Sequence, residues 1–226
     1  MQKPDGNGFT SPEATRRSES PVPITNSLTC EEVPSHPAFQ PLAGIAGVRV
    51  DLRYATVDNF VGRDLYTPLD CAWLHRDAAA ALEKSVAWLA SERPDLSLLV
   101  LDALRPQRVQ EQLWAALQGT ELLGYLAPPE RGSIHSFGMA VDITLIDRAG
   151  RELDMGTPFD DLSEQSHPAL EEALLARGDL SLQQIANRQL LRAAMHHGGW
   201  VGINSEWWHF DCGDRNKIRQ HYLRIL

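Results

Sequence analysis

Two histidines and an aspartate lie in short motifs whose residue types suit metal binding. Residues 133–145 read SIHSFGMAVDITL and contain His135 and Asp142, and residues 204–211 read NSEWWHFD and contain His209. Imidazole nitrogens and carboxylate oxygens are good zinc ligands, and a catalytic zinc site usually has three protein ligands and leaves the fourth position to water. The three residues therefore predict one Zn²⁺ per chain.

The chain between His135 and Asp142 must bring both side chains to one side. From residue 140 onward small or polar residues alternate with apolar ones, as in a strand with one face in the core and the other lining a polar space. The two residues are seven positions apart, so a continuous strand would point them to opposite faces. Gly138 permits a turn that returns His135 to the side of Asp142. We therefore predict that both face one cavity.

Glu206 lies three residues before His209 and is the candidate general base. The aromatic residues Trp207, Trp208 and Phe210 favour a strand around His209. Glu206 is then expected at the entrance of that strand, bent round to the same side. A carboxylate that is not itself a ligand can take a proton from a metal-activated water, so the motif predicts a separate ligand and base.

The segments around these motifs predict an α+β domain. Helices are predicted over 76–90, over 106–117 and over 182–197, and strands over 48–52, 96–104, 139–146 and 207–211. A Gly/Pro-rich loop is predicted over 119–132. These elements do not follow a regular βαβ order, which favours α+β over a doubly wound sheet.

Composition divides the chain into an arm and one domain. Residues 1–38 are rich in Pro, Ser, Thr, Asn and Glu and poor in large apolar residues. Such a segment buries too little surface to offset its ordering entropy, so we predict a disordered or loosely attached N-terminal arm whose removal has little effect. Residues 39–226 are predicted to form one domain.

Charge and cysteine content restrict the partners and the compartment. The 226-residue chain has a formal net charge of −9 and a pI near 5.3, which argues against a nucleic-acid partner and gives no reason to expect membrane binding. Three cysteines without a CxxC pair make a disulfide framework unexpected. The sequence has no signal-peptide core and no long apolar run. We predict a cytoplasmic location, or a periplasmic one if the start is misassigned; no oligomeric state follows from the sequence.

Three further segments complete a resemblance to a known family. They are DLRYATVDNFVG over residues 51–62, DALRP over 102–106 and MGTPFD over 155–160. Together with SxHxxGxAxD and ExxH, they resemble the D-alanyl-D-alanine carboxypeptidase and dipeptidase family of zinc peptidases, and within it the dipeptidase branch, over residues 42–212. The family usually reads Asp-Gly-Tyr-Arg-Pro at the second segment, whereas this chain has Ala-Leu in place of Gly-Tyr.

The resemblance implies the same three zinc ligands and the same base, and it adds four residues. Arg105 would stabilise the tetrahedral oxyanion. Tyr54, Ser133 and Asp160 fall on positions that contact the ends of a dipeptide, with Asp160 suited to the ammonium group. The implied fold is a single α+β domain in which helices flank an antiparallel sheet. The implied reaction is zinc-dependent hydrolysis of D-Ala-D-Ala or a similar D,D-dipeptide.

Two other functions remain open on the sequence. A D,D- or L,D-carboxypeptidase would use the same metal site on longer peptidoglycan stem peptides. A non-catalytic zinc-binding module would need the ligands alone, and the presence of both Glu206 and Arg105 speaks against it. Substrate length separates the first alternative from a dipeptidase, because only a dipeptidase must recognise a free ammonium next to the scissile residue.

Overall fold

Strands and helices are interleaved along residues 26–226, the part of the chain that the computed structural model describes. Its strands are β1 (Ser27–Leu28), β2 (Phe39–Pro41), β3 (Val48–Val50), β4 (Trp73–His75), β5 (Leu96–Asp102), β6 (Ala140–Asp147), β7 (Val201–Gly202), β8 (His209–Asp211) and β9 (Arg224–Ile225). Its α-helices are α1 (Arg76–Glu92), α2 (Gln107–Leu117), α3 (Glu171–Arg177), α4 (Leu182–His197) and α5 (Arg215–His221). The predicted α+β class is confirmed.

The largest sheet has five strands in the order β3-β5-β6-β8-β7, and two small pairs join β2 to β4 and β1 to β9. The strands from β5 to β7 pair antiparallel, but β3 and β5 are parallel. The prediction of a wholly antiparallel sheet is therefore wrong at this edge. The chain leaves β3 and reaches β5 through α1, and a helical crossover of this kind returns the next strand in the same direction.

Helices α1 and α4 pack against the five-stranded sheet and contribute to the main core. The α4 helix begins with a capping box, in which Ser181 and Gln184 satisfy each other's backbone N–H groups. Val141, Ile143 and Leu145 of β6 all lie in this core, as the alternation of the sequence predicts. Asp142 and Thr144, which alternate with these residues, are thereby turned to the opposite face of the sheet.

The longer elements agree with the sequence to within a few residues, whereas several short ones were not predicted. The strand predicted over 207–211 begins only at residue 209, and the loop predicted over 119–132 contains a 3₁₀ helix, Glu121–Tyr125. Strands of two or three residues form because a distant partner is present, which local propensity does not report. Within residues 26–226 the structure has no helix with the length and hydrophobicity needed to cross a bilayer.

Residues 27–33, within the segment predicted as an arm, pack against the rest of the protein. Strand β1 pairs with β9 near the C-terminal end of the chain. Cys30 and Val33 are almost fully buried in a second core cluster. Only a few apolar residues make these contacts, so an average over the predicted arm does not reveal them. Residues 1–25 of that arm lie outside the described residues.

Candidate active site

The pairing of three strands places three polar side chains in one row across the sheet. Asp142 of β6 is the direct partner of His209 on the antiparallel strand β8. On the other side of β6, Asp102 of β5 is also registered against Asp142. Directly opposed residues of an antiparallel pair have Cβ atoms about 5 Å apart on the same face. The register therefore brings Asp142 and His209 together before any loop is considered.

His135 reaches the same place from a 3₁₀ helix, Ile134–Phe137, just before β6. This helix ends at Gly138, which has a φ of 64°. A Cβ at this glycine would lie 2.8 Å from the backbone nitrogen of His75, so both the conformation and the space favour glycine. The turn predicted at Gly138 is therefore present, and it holds His135 on the side of Asp142.

The three predicted ligand residues form a compact group of donor atoms, called here the metal-donor set: His135 Nε2, Asp142 Oδ1 and His209 Nδ1. The two ring nitrogens are 3.2 Å apart, and they lie 3.4 and 2.9 Å from the carboxylate oxygen. Tetrahedral zinc with bonds of about 2.0–2.1 Å separates its ligand atoms by about 3.3 Å. The spacing of the set therefore fits one zinc ion, and all three residues are buried.

The remaining ring nitrogens of the two histidines have partners outside the metal-donor set. His135 Nδ1 lies 2.8 Å from the carbonyl oxygen of Ala103, and His209 Nε2 lies 3.0 Å from Asp211 Oδ1. If these nitrogens carry the protons, the lone pairs of His135 and His209 face each other and Asp142, an arrangement that needs a cation. Burial opposes the charged form of His209, yet the carboxylates of Asp211 and Asp142 raise the pKa of its imidazole well above the usual value. The site therefore favours positive charge.

Glu206 lines the same cavity, of about 250 Å³, but lies outside the metal-donor set. It lies in the bend that leads into β8, as expected. Burial raises the pKa of its carboxyl to about 7, the charges of Asp142 and Asp211 add to the rise, and His209 and Arg105 oppose it. A carboxylate with a pKa near neutrality is suited to accept a proton and return it.

Arg105 is buried beside the metal-donor set and is held by several partners. Its Nε donates to Asp102 Oδ2 at 2.8 Å, its Nη2 to Asp142 Oδ2 at 3.2 Å and its Nη1 to Gln110 Oε1 at 3.2 Å. The guanidinium carbon also lies 5.0 Å from the centroid of the Tyr54 ring. Such a fixed guanidinium on the cavity wall can stabilise an oxyanion without reorganising.

Two residues at the site were not singled out in the sequence. Asp102 accepts hydrogen bonds from Arg105, from the hydroxyl of Tyr66 and from its neighbour's backbone N–H, so it fixes the arginine. Asp211 follows His209 by two positions on one strand, and residues with that spacing share a face. That spacing is the signal by which Asp211 could have been found.

Tyr54, Ser133 and Asp160 all line the cavity. The Tyr54 hydroxyl donates to Asp160 Oδ1 at 3.1 Å, whereas Oδ2 is buried and has no hydrogen-bond partner among the described residues. Asp160 has a φ of 63°, which is uncommon for a residue other than glycine. Burial, followed by the charge of Asp142, raises the pKa of Asp160 well above its usual value. A cation bound here would offset that penalty.

Comparisons with known proteins agree with the predicted family resemblance. The chain matches the Peptidase M15 family, described as D-ala-D-ala dipeptidase, over residues 37–225. It is 40% identical over 167 residues to the D-alanyl-D-alanine dipeptidase of Escherichia coli (strain K12), covering 73% of this chain and 78% of that protein. It is 33% identical over 195 residues to the D-alanyl-D-alanine dipeptidase of Enterococcus faecium, covering 75% of this chain and 88% of that protein.

The family match includes every residue predicted for the site and nearly all of the described chain. The resemblance inferred from the five motifs is therefore confirmed. This chain belongs to the D-Ala-D-Ala dipeptidase family of M15 peptidases.

Proposed function

We propose that this protein is a zinc-dependent dipeptidase that hydrolyses D-alanyl-D-alanine or a similar D,D-dipeptide. The main support is that one cavity carries a metal-donor set, a separate carboxylate at Glu206 and a buried guanidinium at Arg105. The curated relatives are named as D-alanyl-D-alanine dipeptidases, which supports the same substrate class. His135, Asp142 and His209 would hold one Zn²⁺ per chain.

In the proposed mechanism, the metal, the base Glu206 and the guanidinium of Arg105 have separate roles. Bound zinc would supply Lewis-acid polarisation of the scissile carbonyl and would lower the pKa of a water. Glu206 takes a proton from the attacking water as the new C–O bond forms, and it returns the proton to the leaving amine as the C–N bond breaks. Arg105 donates to the oxyanion, an interaction commonly worth about 3 to 4 kcal/mol per well-placed donor.

Asp160 supports a dipeptide substrate over a longer peptide. Its Oδ2 is buried without a hydrogen-bond partner among residues 26–226, and its Oδ1 accepts from Tyr54, which is only 1% exposed. A free ammonium can pair with the carboxylate there, whereas an acylated amine would leave the carboxylate desolvated and unpaired. A carboxypeptidase acting on stem peptides is the competing function. The cytoplasmic location remains a prediction from the sequence.

Two variants test the proposed roles of ligand and base. Glu206→Gln should keep zinc but lose hydrolysis by about 10²- to 10⁴-fold, since the amide cannot act as a base. His209→Ala should lose zinc as well as hydrolysis. Elemental analysis and release of free D-alanine measure the two properties, and Glu92→Gln at the exposed end of α1 is the matched control. Equal loss of zinc in both variants would contradict the separation of base from ligand. If the wild-type protein contained no zinc and its hydrolysis were unaffected by chelators, the metal assignment would be contradicted.

A further inference from the structure

Three arginines line one part of the cavity wall, in a protein whose net charge is −9. They are Arg131, Arg215 and Arg219, called here the arginine rim. Arg131 precedes the Gly132–Ser133 peptide, and the other two belong to α5. Such a cluster of positive charge is not apparent from the net charge of the protein. It favours the binding of anionic ligands.

The arginine rim and Asp160 connect to the metal-donor set through different ring nitrogens of His209. His209 is the divider, because its Nδ1 faces Asp142 at 2.9 Å and its Nε2 faces Asp211 at 3.0 Å. On the Asp211 side the next contact is the guanidinium of Arg215. On the Asp142 side the contacts continue through Arg105 and Tyr54 to Asp160.

The charge of the arginine rim is only partly neutralised. Within residues 26–226, its ion pairs are confined to Arg215 with Asp211. Arg219 donates from Nε and Nη2 to the carbonyl oxygen of Gly132, at 3.3 and 3.2 Å, and from Nη1 to the carbonyl oxygen of Arg215 at 3.4 Å. Burial lowers the pKa of Arg219, and the charges of Arg131 and Arg215 lower it further. An anion between Arg219 and Arg131 would relieve this repulsion, and a guanidinium with five N–H groups still has donors to offer.

We propose that Arg219 and Arg131 bind the α-carboxylate of the substrate's C-terminal residue and so make a free carboxylate a requirement for recognition. The inference rests on the proposed function and extends it to recognition of the C-terminal end of the substrate. A zwitterionic dipeptide has an ammonium group, a scissile carbonyl and a carboxylate in that order. Followed from contact to contact, the cavity wall presents Asp160, the metal-donor set and the arginine rim in the same order. Arg219 also holds the carbonyl of Gly132, so it orients the peptide that carries Ser133.

The test compares D-Ala-D-Ala with D-alanyl-D-alaninamide, which lacks the C-terminal charge. Wild type should prefer the free acid by about 30-fold or more in kcat/KM. Arg131→Gln should lower kcat/KM for the acid by about tenfold or more while changing that for the amide by less than about threefold. Arg219→Gln also removes the bonds to the carbonyl of Gly132, so it should lower kcat/KM for both substrates, and for the acid by about tenfold more than for the amide. Arg131 is exposed, so its variant should fold even if Arg219→Gln does not. Arg148→Gln, at an exposed turn, is the matched control.

Binding measured by calorimetry on the Glu206→Gln protein separates this inference from the proposed function. The acid should bind more tightly than the amide, and the added Arg219→Gln or Arg131→Gln change should remove that preference. An unchanged preference in both variants would overturn the role of the arginine rim. Carboxylate-dependent binding by a wild type that releases no D-alanine would support the rim and contradict only the dipeptidase.

Discussion

At the scale of a single residue, the two carboxylate oxygens of Asp142 contact different parts of the site. Oδ1 lies 2.9 Å from His209 Nδ1, whereas Oδ2 accepts from Arg105 Nη2. The carboxylate therefore links the metal-donor set to the guanidinium proposed to stabilise the oxyanion. A lysine at position 105 could not reproduce this geometry, because three separate nitrogens of Arg105 are used by three acceptors.

Glu206 leads to a prediction about stability. Its folded-state pKa of about 7 lies above the usual value of 4.5, so the metal-free folded protein binds this proton more tightly than the unfolded chain does. Stability is therefore lost as pH rises from about 4.5 through about 7. In Glu206→Gln this pH-dependent loss of stability is absent, because the amide of glutamine does not titrate. The full shift corresponds to about 3 kcal/mol, and because the side chain is partly exposed we expect a gain of about 1 to 2 kcal/mol at pH 8.

Thermal unfolding of chelator-treated protein checks this prediction. The melting temperature of Glu206→Gln should exceed that of wild type at pH 8, and the difference should shrink as the pH is lowered to about 4.5. The exposed Glu92→Gln variant should show no such pH dependence. A difference that is the same at both pH values would mean that desolvation of Glu206 is not its cause.

At the scale of elements, the register of β6 against β8 places Asp142 beside His209. A slip of one residue would turn Asp142 into the core, because successive side chains of a strand point to opposite faces. The sequence predicted this face correctly from the alternation in residues 140–145, and it predicted the turn at Gly138. Both signals are local, which is why they could be read without the fold.

The features that the sequence did not predict depend on contacts between distant segments. The arginine rim exists because α5 packs back against the loop that carries Gly132 and Ser133. The parallel pairing of β3 with β5 likewise depends on where the chain returns to the sheet after α1. Neither has a local pattern of residues, so propensity and spacing could not report them.

The short strand β1 changes the prediction for truncated chains, because composition alone predicted little effect for removal of residues 1–38. A chain beginning at residue 37 loses the pairing of β1 with β9, the buried side chains of Cys30 and Val33, and the ion pair of Glu31 with Arg108. Burial of one such side chain contributes about 1.5 to 3 kcal/mol, so the melting temperature should fall by about 5 °C or more. A chain beginning at Asn26 should stay within about 2 °C of the full chain. Equal melting temperatures for the two truncated chains would contradict the packing of this segment.

At the scale of the whole molecule, an acidic protein carries a cavity with charges of opposite sign at two places in its wall. Asp160 supplies a carboxylate whose Oδ2 is buried and unpartnered among residues 26–226, and the arginine rim supplies positive charge beyond Asp211. The buried polar side chains of Arg105, Asp142 and His209 line the same cavity. This order of charges matches a short zwitterion and is poorly suited to a peptide that continues beyond the ammonium position.

Substrate length is the most direct test of this account. The measurement is kcat/KM for D-Ala-D-Ala, N-acetyl-D-Ala-D-Ala and a pentapeptide stem at one pH, on wild type and Asp160→Asn. The free dipeptide should be cleaved at least about a hundredfold better than the other two, because acylation leaves the buried carboxylate of Asp160 unpaired at a cost of about 3 kcal/mol. Asp160→Asn should lower kcat/KM most for the free dipeptide, and so reduce its advantage over the other two substrates. A pentapeptide stem cleaved better than the dipeptide would contradict the dipeptidase and identify a carboxypeptidase instead.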